Sequence, residues 1–364
     1  MKSILHILIA FLALTTFSCT NQADTKSPRS TEYTGARFFS WANYSKDRDW
    51  DKFFKEFTDV GFDGLIISGS AENLETLIPI ADKYGVEIHA WMWTMNNGGI
   101  ARANPEYLEV NQLGHSLKDS MAYVGYYQFL CPAIDSVRIK IAQNVEKLAK
   151  VKGLKSISLD YCRYVDAILP TTLWKNYGIT QERVYPRWDY GYNPEMIKQF
   201  ENKFGYNPQK QIDPTMDQEW LNFRCDVLNK FVDSLATIAH KYGKKLSASP
   251  FPTPKMSKAM VYQDWGKWNL DMAFPMMYHG FYNGDIKWIE QAVVDSRRDM
   301  QPQTDLFYGM IASDFNHKNA IDITKALQTA FDNGALGFSV YRFDHFTPEV
   351  KATLKEFLAK QKKN

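Results

Sequence analysis

The stretch LKSISLDYCRY, residues 154–164, decides the fold of this chain. Its serines alternate with branched apolar residues, which is the pattern of a strand whose two faces meet different surroundings. The run ends abruptly on Asp160, and Tyr161 and Arg163 follow closely. We interpret it as a barrel strand that packs its apolar face against helices. Asp160 then points inward at the strand's carboxyl end, where barrel enzymes keep their active sites.

The same unit repeats along the chain from residue 36 onward: a short apolar run, a loop and an amphipathic helix. The eight apolar runs begin at residues 36, 62, 86, 154, 245, 270, 305 and 335. Alternating strands and helices predict a parallel sheet, and eight repeats predict an α/β fold of the (β/α)8 TIM barrel type. An open doubly wound sheet is the alternative. However, the loop WANYSKDRDW after the first run lacks the glycines of such a sheet's first turn.

The first 19 residues have the layout of a signal peptide. A basic start precedes the apolar run ILHILIAFLALTTF, which is short for a transmembrane helix. Ser18-Cys19 comes next and resembles a bacterial lipobox, although residues 16–17 depart from the commonest pattern. In a lipobox, Cys19 is lipidated and becomes the mature N-terminus. Ordinary signal cleavage near this point is the alternative.

We therefore expect three regions in the chain. These are a lipoprotein signal peptide at residues 1–19, a flexible polar tether at residues 20–34 and a single barrel at residues 35–364. The lipid on Cys19 would anchor the protein in a bacterial cell envelope, on its periplasmic or its outer face.

Composition excludes several classes of function. The 364 residues are 45% hydrophobic, enough for a large core. The net charge is +2 with both signs intermixed, so the chain lacks the basic stripe of a nucleic-acid-binding protein. Cys131, Cys162 and Cys225 fit no zinc or redox spacing, and we expect buried free thiols. The seven histidines have no ligand spacing, so we expect neither a metal nor a cofactor.

The aromatic content points to carbohydrate. Aromatic residues make up 15% of the chain, including 10 Trp and 20 Tyr. A Trp or Tyr ring has an apolar face and a polar edge, which match the apolar face of a pyranose. Core packing is the simpler explanation for most of the phenylalanines.

Three barrel chemistries lack their residues here. Metal-dependent amidohydrolases need paired histidines after the first strand, where residues 40–43 are Ser-Trp-Ala-Asn. Schiff-base aldolases need a lysine at a strand end, and none is placed there. Phosphate-binding barrels need a Gly-rich loop after strand seven or eight, and the loops ASDFNHKN and RFDHFTP are not of that kind.

The predicted strand ends carry aromatic and acidic residues instead. In chain order they are Trp41, Trp91, Trp93, Asp160, Tyr161, Arg163, Tyr164, Tyr278, His279, Tyr282, Asp314, Arg342, Asp344 and His345. Glycoside hydrolysis needs two carboxyl groups across the scissile bond, with stacking platforms and hydrogen-bond donors around them. This set contains all of those residue types. For any one aromatic the alternative is core packing, and for Asp344 it is a salt bridge with Arg342.

Three blocks of the chain resemble consecutive segments of one known family. CPAIDSVRIKIAQNVEKLAKVKGLKSISLDYCRY resembles the family's helix and strand ending in Asp-Tyr-x-Arg-Tyr. WLNFRCDVLNKFVDSLATIAHKYGKKLSASPF is similar to its Trp/Arg helix followed by a Ser-x-Ser-Pro strand. YQDWGKWNLDMAFPMMY looks like its Gln-Asp-Trp block. The family is the glycosyl-hydrolase-like group ten proteins. The blocks occur in this family's order, and the resemblance spans residues 36–346.

The resemblance implies an exported (β/α)8 barrel that acts on or binds carbohydrate. It implies a shared site role for five residues at matching motif positions, Asp160, Arg163, Arg224, Asp264 and Tyr278. The chain departs from the expected pattern of paired acids: Leu159 stands beside Asp160, and strand five ends in SPFPTP without a carboxylate. The partner of Asp160 is therefore open.

Two functions are consistent with these residues. The first is an exported glycoside hydrolase that cleaves a poly- or oligosaccharide with a pair of carboxylates. The second is a non-catalytic glycan-binding lipoprotein on the same barrel, which the missing carboxylate after strand five favours. In the first, Arg163 would hold Asp160 ionised with a lowered pKa, as suits a nucleophile or an electrostatic stabiliser. Asp314, and after it Asp264, would supply the general acid. A purely structural ion pair of Asp160 with Arg163 or Arg224 is the alternative.

We expect the substrate to contact the remaining candidates. These are Trp41, Trp91, Trp93, Tyr161, Arg163, Arg224, Tyr278, His279 and Asp344. Trp91 and Trp93 should line the pocket, because Ile88 and Ala90 belong to the apolar outward face of the same strand. The long loop at residues 97–131 should cover the pocket as a lid.

Overall fold

The computed structural model describes residues 36–318 and 320–362, so Cys19 and the predicted tether at residues 20–34 lie outside the described residues. All strands pair in parallel. They are β1 (Arg37–Asn43), β2 (Gly64–Ser68), β3 (Glu87–Trp93), β4 (Ser156–Asp160), β5 (Lys245–Ala248), β6 (Met272–Ala273), β7 (Asp305–Leu306), β8 (Tyr308–Ile311) and β9 (Gly337–Tyr341). Their order in the sheet is β7-β6-β5-β4-β3-β2-β1-β9-β8.

The sheet closes at the seventh strand position of the predicted barrel. Phe307 divides that predicted strand into β7 and β8. Because β7 pairs with β6 and β8 pairs with β9, the two ends of the sheet belong to one continuous segment. A parallel bridge between Met276 and Gly309 joins the two sides beyond the division. The (β/α)8 TIM barrel is confirmed, with one strand interrupted.

Among the described residues, eight helices surround the barrel, one after each strand position. They are α1 (Trp50–Val60), α2 (Ala71–Asp82), α4 (Asp135–Ala149), α7 (Gln218–Lys241), α8 (Pro254–Val261), α9 (Ile286–Asp299), α10 (Ile323–Asp332) and α11 (Pro348–Gln361). Three further helices lie within the long loops after β3 and β4. They are α3 (Gly98–Ala103), α5 (Trp174–Tyr177) and α6 (Pro194–Phe204).

Helix α1 illustrates how local sequence specifies these elements. The Asp49 side chain caps the first turn by accepting a hydrogen bond from the Lys52 backbone N–H. Gly61 ends the helix with φ of 113°, which a side chain would strain. Phe54 and Phe57 lie on one buried face against the barrel.

The core has two layers, as a closed barrel requires. The larger layer fills the space between strands and helices and contains Ile88 and Ala90. The smaller layer fills the barrel interior with alternate strand residues, including Trp91. Neighbouring residues of β3 therefore face opposite sides, and the predicted register of this strand is confirmed.

The lower interior is polar where β4 crosses it. Ser156 and Ser158 are buried, and His89 Nδ1 lies 2.8 Å from Ser156 Oγ. Ser156 Oγ also lies 3.4 Å from Ser247 Oγ on the next strand. These contacts confirm that the serines of the opening stretch face the barrel interior and that Asp160 shares their side.

The described part of the chain bears on three other expectations. Cys131, Cys162 and Cys225 are buried free thiols, as expected. No helix formed by the described residues is long and apolar enough to cross a membrane. Within the same residues, no group of three or more His, Cys, Asp or Glu side chains is placed to hold a metal ion.

Candidate functional site

A cavity of about 460 Å³ opens at the carboxyl ends of the strands. Asp160, at the end of β4, lies in its wall beside Trp91 and Trp93 of β3. The remaining lining residues are Trp41, Tyr123, Tyr126, Tyr127, Tyr161, Arg163, Asp166, Leu169, Pro170, Leu173, Tyr177, Ser249, Phe251, Met276, Tyr278, Phe281, Tyr282, Ile311 and Tyr341. A volume of this size fits a small ligand, and its aromatic lining suits sugar rings.

Asp160 is held by one hydrogen bond on each carboxyl oxygen. The Tyr161 backbone N–H donates to Oδ1 at 2.7 Å, and Trp91 Nε1 donates to Oδ2 at 3.0 Å. Tyr161 adopts a left-handed backbone conformation with φ of 49°, uncommon for a residue other than glycine. The turn and the indole together fix the direction in which the carboxyl group faces.

Burial raises the pKa of Asp160 from its ordinary value of 3.8 to about 6. The hydrogen bonds from Tyr161 and Trp91 and the charge of Arg163 oppose this shift, but burial outweighs them. The expectation of a lowered pKa was therefore wrong. The sequence shows that a cation is near, whereas the tertiary structure decides how much water the carboxyl group loses.

Arg163 pairs with Asp166 and not with Asp160. Its Nη1 lies 3.1 Å from Asp166 Oδ2, and both side chains are buried. The guanidinium lies 5.0–5.8 Å from the centres of four aromatic rings, those of Tyr127, Phe129, Tyr161 and Phe251. The predicted alternative, an Asp160 ion pair with Arg163 or Arg224, is therefore wrong.

Asp166 is the second carboxylic acid of the cavity, and the sequence analysis missed it. Its Oδ2 accepts hydrogen bonds from Tyr127 Oη at 2.7 Å and from Arg163. No described residue donates to its other oxygen, Oδ1. The available signal in the sequence was its position three residues after Arg163, with which it pairs. Asp160 and Asp166 are the carboxylic acids that line the cavity among the described residues.

The loop at residues 97–131 covers part of the cavity, as predicted for a lid. Tyr123, Tyr126 and Tyr127 of this loop line the cavity wall. The Tyr123 hydroxyl donates to the Asp166 carbonyl oxygen at 2.9 Å. Two hydrogen bonds to Asp166 thus tie the loop to the segment after β4.

Asp314 and His279 do not line the cavity, contrary to expectation. A helical turn begins directly after β8 and carries Asp314 toward the neighbouring loop. There, Asp314 Oδ2 accepts a hydrogen bond from the Gly280 N–H at 3.0 Å and lies 3.5 Å from His279 Nδ1. Both side chains link the loops after strand positions six and seven.

Arg224 is a structural residue of the loop region and not a cavity residue. It is buried on α7, where Nη1 lies 2.6 Å from Asp189 Oδ1 and 2.8 Å from the Tyr190 carbonyl oxygen. Its guanidinium lies 3.8 Å from the centre of the Tyr262 ring. Arg224 packs among the segments after β4 and α8 and does not line the cavity, contrary to expectation.

Asp264 also lies outside the cavity and is paired with lysines. It follows α8 and lies 2.9 Å from Lys267 Nζ and 3.6 Å from Lys258 Nζ. Helix α8 lies between β5 and Asp264, and Asp264 is not among the cavity-lining residues, contrary to expectation.

Asp344 is a third predicted residue that the structure assigns to an ion pair. Its Oδ2 lies 2.8 Å from Arg48 Nη2 and 3.9 Å from Arg342 Nη2. The salt bridge proposed as the alternative is present, with Arg48 as the nearer partner. The contact joins the loops after β1 and β9 outside the cavity.

Ser249 and Tyr341 are cavity residues that the sequence analysis did not select. Ser249 follows β5 and is level with Asp160, since its N–H donates to the Leu159 carbonyl oxygen at 2.9 Å. Its buried hydroxyl has no hydrogen-bond partner among the described residues. A carboxylate was expected at this position after β5. Because Ser249 is not acidic, there was no reason in the sequence to place it in the site.

No family model and no curated protein matches the chain. Solved structures do match it. The glycoside hydrolase domain of PgaB (BpsB) from Bordetella bronchiseptica has a TM-score of 0.64 and 14% identity, covering 89% of this chain and 99% of that domain. The β-galactosidase from the psychrophilic Marinomonas ef1 has a TM-score of 0.62 and 12% identity, covering 90% of this chain and 59% of the galactosidase.

A third solved structure extends the comparison to another substrate class. The α-L-fucosidase isoenzyme 2 from Paenibacillus thiaminolyticus has a TM-score of 0.57 and 11% identity, covering 90% of this chain and 49% of the fucosidase. The chain thus spans three fifths or less of the galactosidase and the fucosidase. At these identities the likeness concerns the fold: the chain shares its (β/α)8 barrel with glycoside hydrolases.

Proposed function

We propose that the chain is an exported glycoside hydrolase that cleaves a glycosidic bond in a poly- or oligosaccharide. One observation carries the proposal: Asp160 has a raised pKa and lies in an aromatic cavity at the carboxyl ends of the strands. The barrel fold of the hydrolases adds support. The three sequence blocks support a place in the glycosyl-hydrolase-like group ten family.

Asp160 is the proposed general acid. A carboxyl group with a pKa of about 6 keeps a protonated fraction near neutral pH, which an ordinary aspartate does not. The Trp91 and Tyr161 hydrogen bonds hold it in a fixed direction. This reverses the role predicted from sequence, in which Asp160 was the ionised partner.

Asp166 is the proposed second carboxylate. It lines the same cavity, and Arg163 neutralises it through one oxygen. Its other oxygen, Oδ1, remains available to a water molecule or to a sugar. Asp166 thereby replaces Asp314 as the partner of Asp160, while the role of general acid passes from Asp314 to Asp160.

The second candidate function is glycan binding without catalysis. The observation that favours it is that Tyr127 and Arg163 both donate hydrogen bonds to Asp166 Oδ2, so this oxygen is already engaged within the protein. The aromatic rings of Trp41, Trp91 and Tyr278 would bind a sugar equally well without turnover.

Two variants, Asp160→Asn and Asp166→Asn, separate these functions. The wild type is first screened against a panel of oligosaccharides with product analysis. Hydrolysis predicts that the folded fraction of each variant loses about 10²–10⁴-fold in turnover, the usual contribution of a general acid or base. Asp314→Asn is the comparator and keeps its turnover. Binding without hydrolysis by the wild type supports the second function, and near-normal turnover of Asp160→Asn contradicts the proposed mechanism.

A further inference from the structure

Three aromatic side chains are exposed to solvent among the described residues, and all three line the cavity. Trp93 is 40% exposed, Tyr126 53% and Tyr177 38%. Every other described Trp, Tyr and Phe is buried or half-buried. The fold thus leaves its exposed large aromatic surface at one place, the rim of the candidate site, and such concentration marks a binding surface.

Trp93 lies next to Asp160 along the rim. The two residues are paired in register between β3 and β4, so their backbones are one strand spacing apart, about 5 Å. A pyranose residue in a chain occupies a similar length. A sugar stacked on Trp93 would therefore adjoin the sugar whose bond faces Asp160.

The Trp93 ring is held in place by its neighbours. Its centre lies 4.7 Å from that of Tyr161 and 6.2 Å from that of Tyr126. No described residue accepts a hydrogen bond from its indole N–H, which leaves that donor available to a sugar hydroxyl. Stacking on this ring needs little ordering of the side chain on binding.

Tyr126 and Tyr177 extend the rim away from β3. The Tyr126 ring packs edge-on against Tyr127 at 5.2 Å, and Tyr177 packs against Tyr123 at 5.5 Å. Their inner neighbours belong to the cavity wall, so the exposed rings continue it outward. The three rim side chains, Trp93, Tyr126 and Tyr177, are all uncharged.

We propose that Trp93, Tyr126 and Tyr177 form a further sugar-binding subsite beside the bond that is cleaved. The substrate is then an oligo- or polysaccharide with an uncharged sugar at this position, not a glycoside of a single sugar. This inference rests on the proposed function, whose reacting bond it places at Asp160. The three rim side chains are uncharged and therefore suit a neutral sugar, and in the cavity wall Arg163 and Asp166 pair with each other.

The test measures binding in the Asp160→Asn background, so that turnover does not interfere. The probes are cellotetraose, xylotetraose, mannotetraose and chitotetraose, each compared with its monosaccharide by calorimetry. We expect at least one tetraose to bind about tenfold or more tightly than its monosaccharide. Trp93→Ala should weaken the affinity for that tetraose about three- to tenfold, as the loss of one aromatic contact does. The affinity for the monosaccharide should stay unchanged.

The controls separate this inference from the proposed function. Met216→Ala removes an exposed apolar side chain that does not line the cavity and should change neither affinity. Tyr126→Ala should weaken tetraose binding alone. The inference is overturned if no tetraose binds, if tetraose and monosaccharide bind equally, or if Trp93→Ala weakens both alike. If the wild type binds a tetraose selectively but does not cleave it, the proposed hydrolase activity is contradicted and the proposed subsite is supported.

Discussion

At the scale of single residues, Asp160 is subject to opposing effects whose balance an experiment can shift. Burial raises its pKa to about 6, while the Trp91 hydrogen bond stabilises the ionised form and lowers it. If protonated Asp160 is the acid, kcat/KM falls as the pH rises through about 6. Trp91→Phe removes the donor, so the pKa of Asp160 rises and this alkaline limb moves to higher pH.

The measurement is the pH profile of kcat/KM for both proteins, which reports the groups of the free enzyme. A limb that stays in place, or that moves to lower pH, would contradict the assignment of Asp160. If Trp91 acted only by stacking on the sugar, Trp91→Phe would lower kcat/KM at every pH without moving the alkaline limb.

Glu109 carries a second residue-scale prediction, on stability. It is fully buried in the loop after β3, and no other described residue donates a hydrogen bond of good geometry to either carboxyl oxygen. Burial raises its pKa from 4.5 to about 8, although the backbone of Val110 and Gly191 opposes the shift. Between these values the unfolded chain is ionised and the folded chain is protonated, so the free energy of unfolding falls as the pH rises.

Glu109→Gln removes this pH-dependent loss, because the amide does not titrate. We expect the variant to match the wild type near pH 4 and to exceed its free energy of unfolding by up to about 4 kcal/mol at pH 8. Urea denaturation at both values measures the difference. Glu106→Gln, an exposed change in the same loop, is the control and should show none. A constant offset at both pH values would refute the titration.

At the scale of elements, Gly309 allows the barrel to close. A Cβ atom there would lie 2.2 Å from the Pro275 carbonyl oxygen, a backbone atom that cannot move aside. The same residue carries the bridge to Met276 that joins the two ends of the sheet. Gly309→Ala should therefore lower the free energy of unfolding by about 3 kcal/mol, the upper part of the range for overpacking.

The matched control is Gly99→Ala, where a Cβ atom meets no neighbour closer than 3.4 Å and alanine favours the helix α3. Denaturant titration should show this variant equal to or slightly more stable than the wild type. Equal stabilities for both variants would show that closure tolerates a side chain at position 309.

The loop at residues 97–131 gives a second prediction at this scale. Tyr127 ties it to Asp166 by a hydrogen bond to a carboxylate, a class worth about 1.5–3 kcal/mol. Tyr127→Phe keeps the ring and removes the bond, so amides of the loop should exchange hydrogen faster. Tyr107→Phe is the control on the same loop, since none of the described hydrogen bonds involves its hydroxyl. Unchanged exchange in Tyr127→Phe would show that packing alone holds the loop.

At the scale of the whole molecule, we propose that the protein is anchored to a bacterial envelope through lipidated Cys19. The basis is the sequence alone: an apolar run that ends at Ser18-Cys19. Cys19→Ala should abolish labelling by a fatty-acid probe and move the protein from the membrane fraction to the soluble one. Cys225→Ala, which removes a buried thiol, should keep the label. Equal labelling of the Cys19→Ala variant would end the proposal.

The sequence by itself determined the barrel and the inward face of its strands. Each β/α unit is a local pattern of alternation, helical periodicity and capping, and eight of them leave few ways to bury their apolar faces. The inward direction of Trp91 and Asp160 followed from the two-residue period of a strand. Strand length and the division at Phe307 did not follow, because pairing across the closed sheet decides them.

Only the tertiary structure decided which charges meet and which carboxyl groups lose water. Arg163 pairs with Asp166 rather than with Asp160, and Arg224 pairs with Asp189 from a distant loop. Asp314 lay at a strand end in sequence, but a single helical turn carried it out of the cavity. The alternation of side chains predicts the direction of a residue only within its strand. Beyond the strand end, the conformation of the loop decides which side chains reach the cavity. The pKa of Asp160 depends on the burial that the whole barrel and its loops create together.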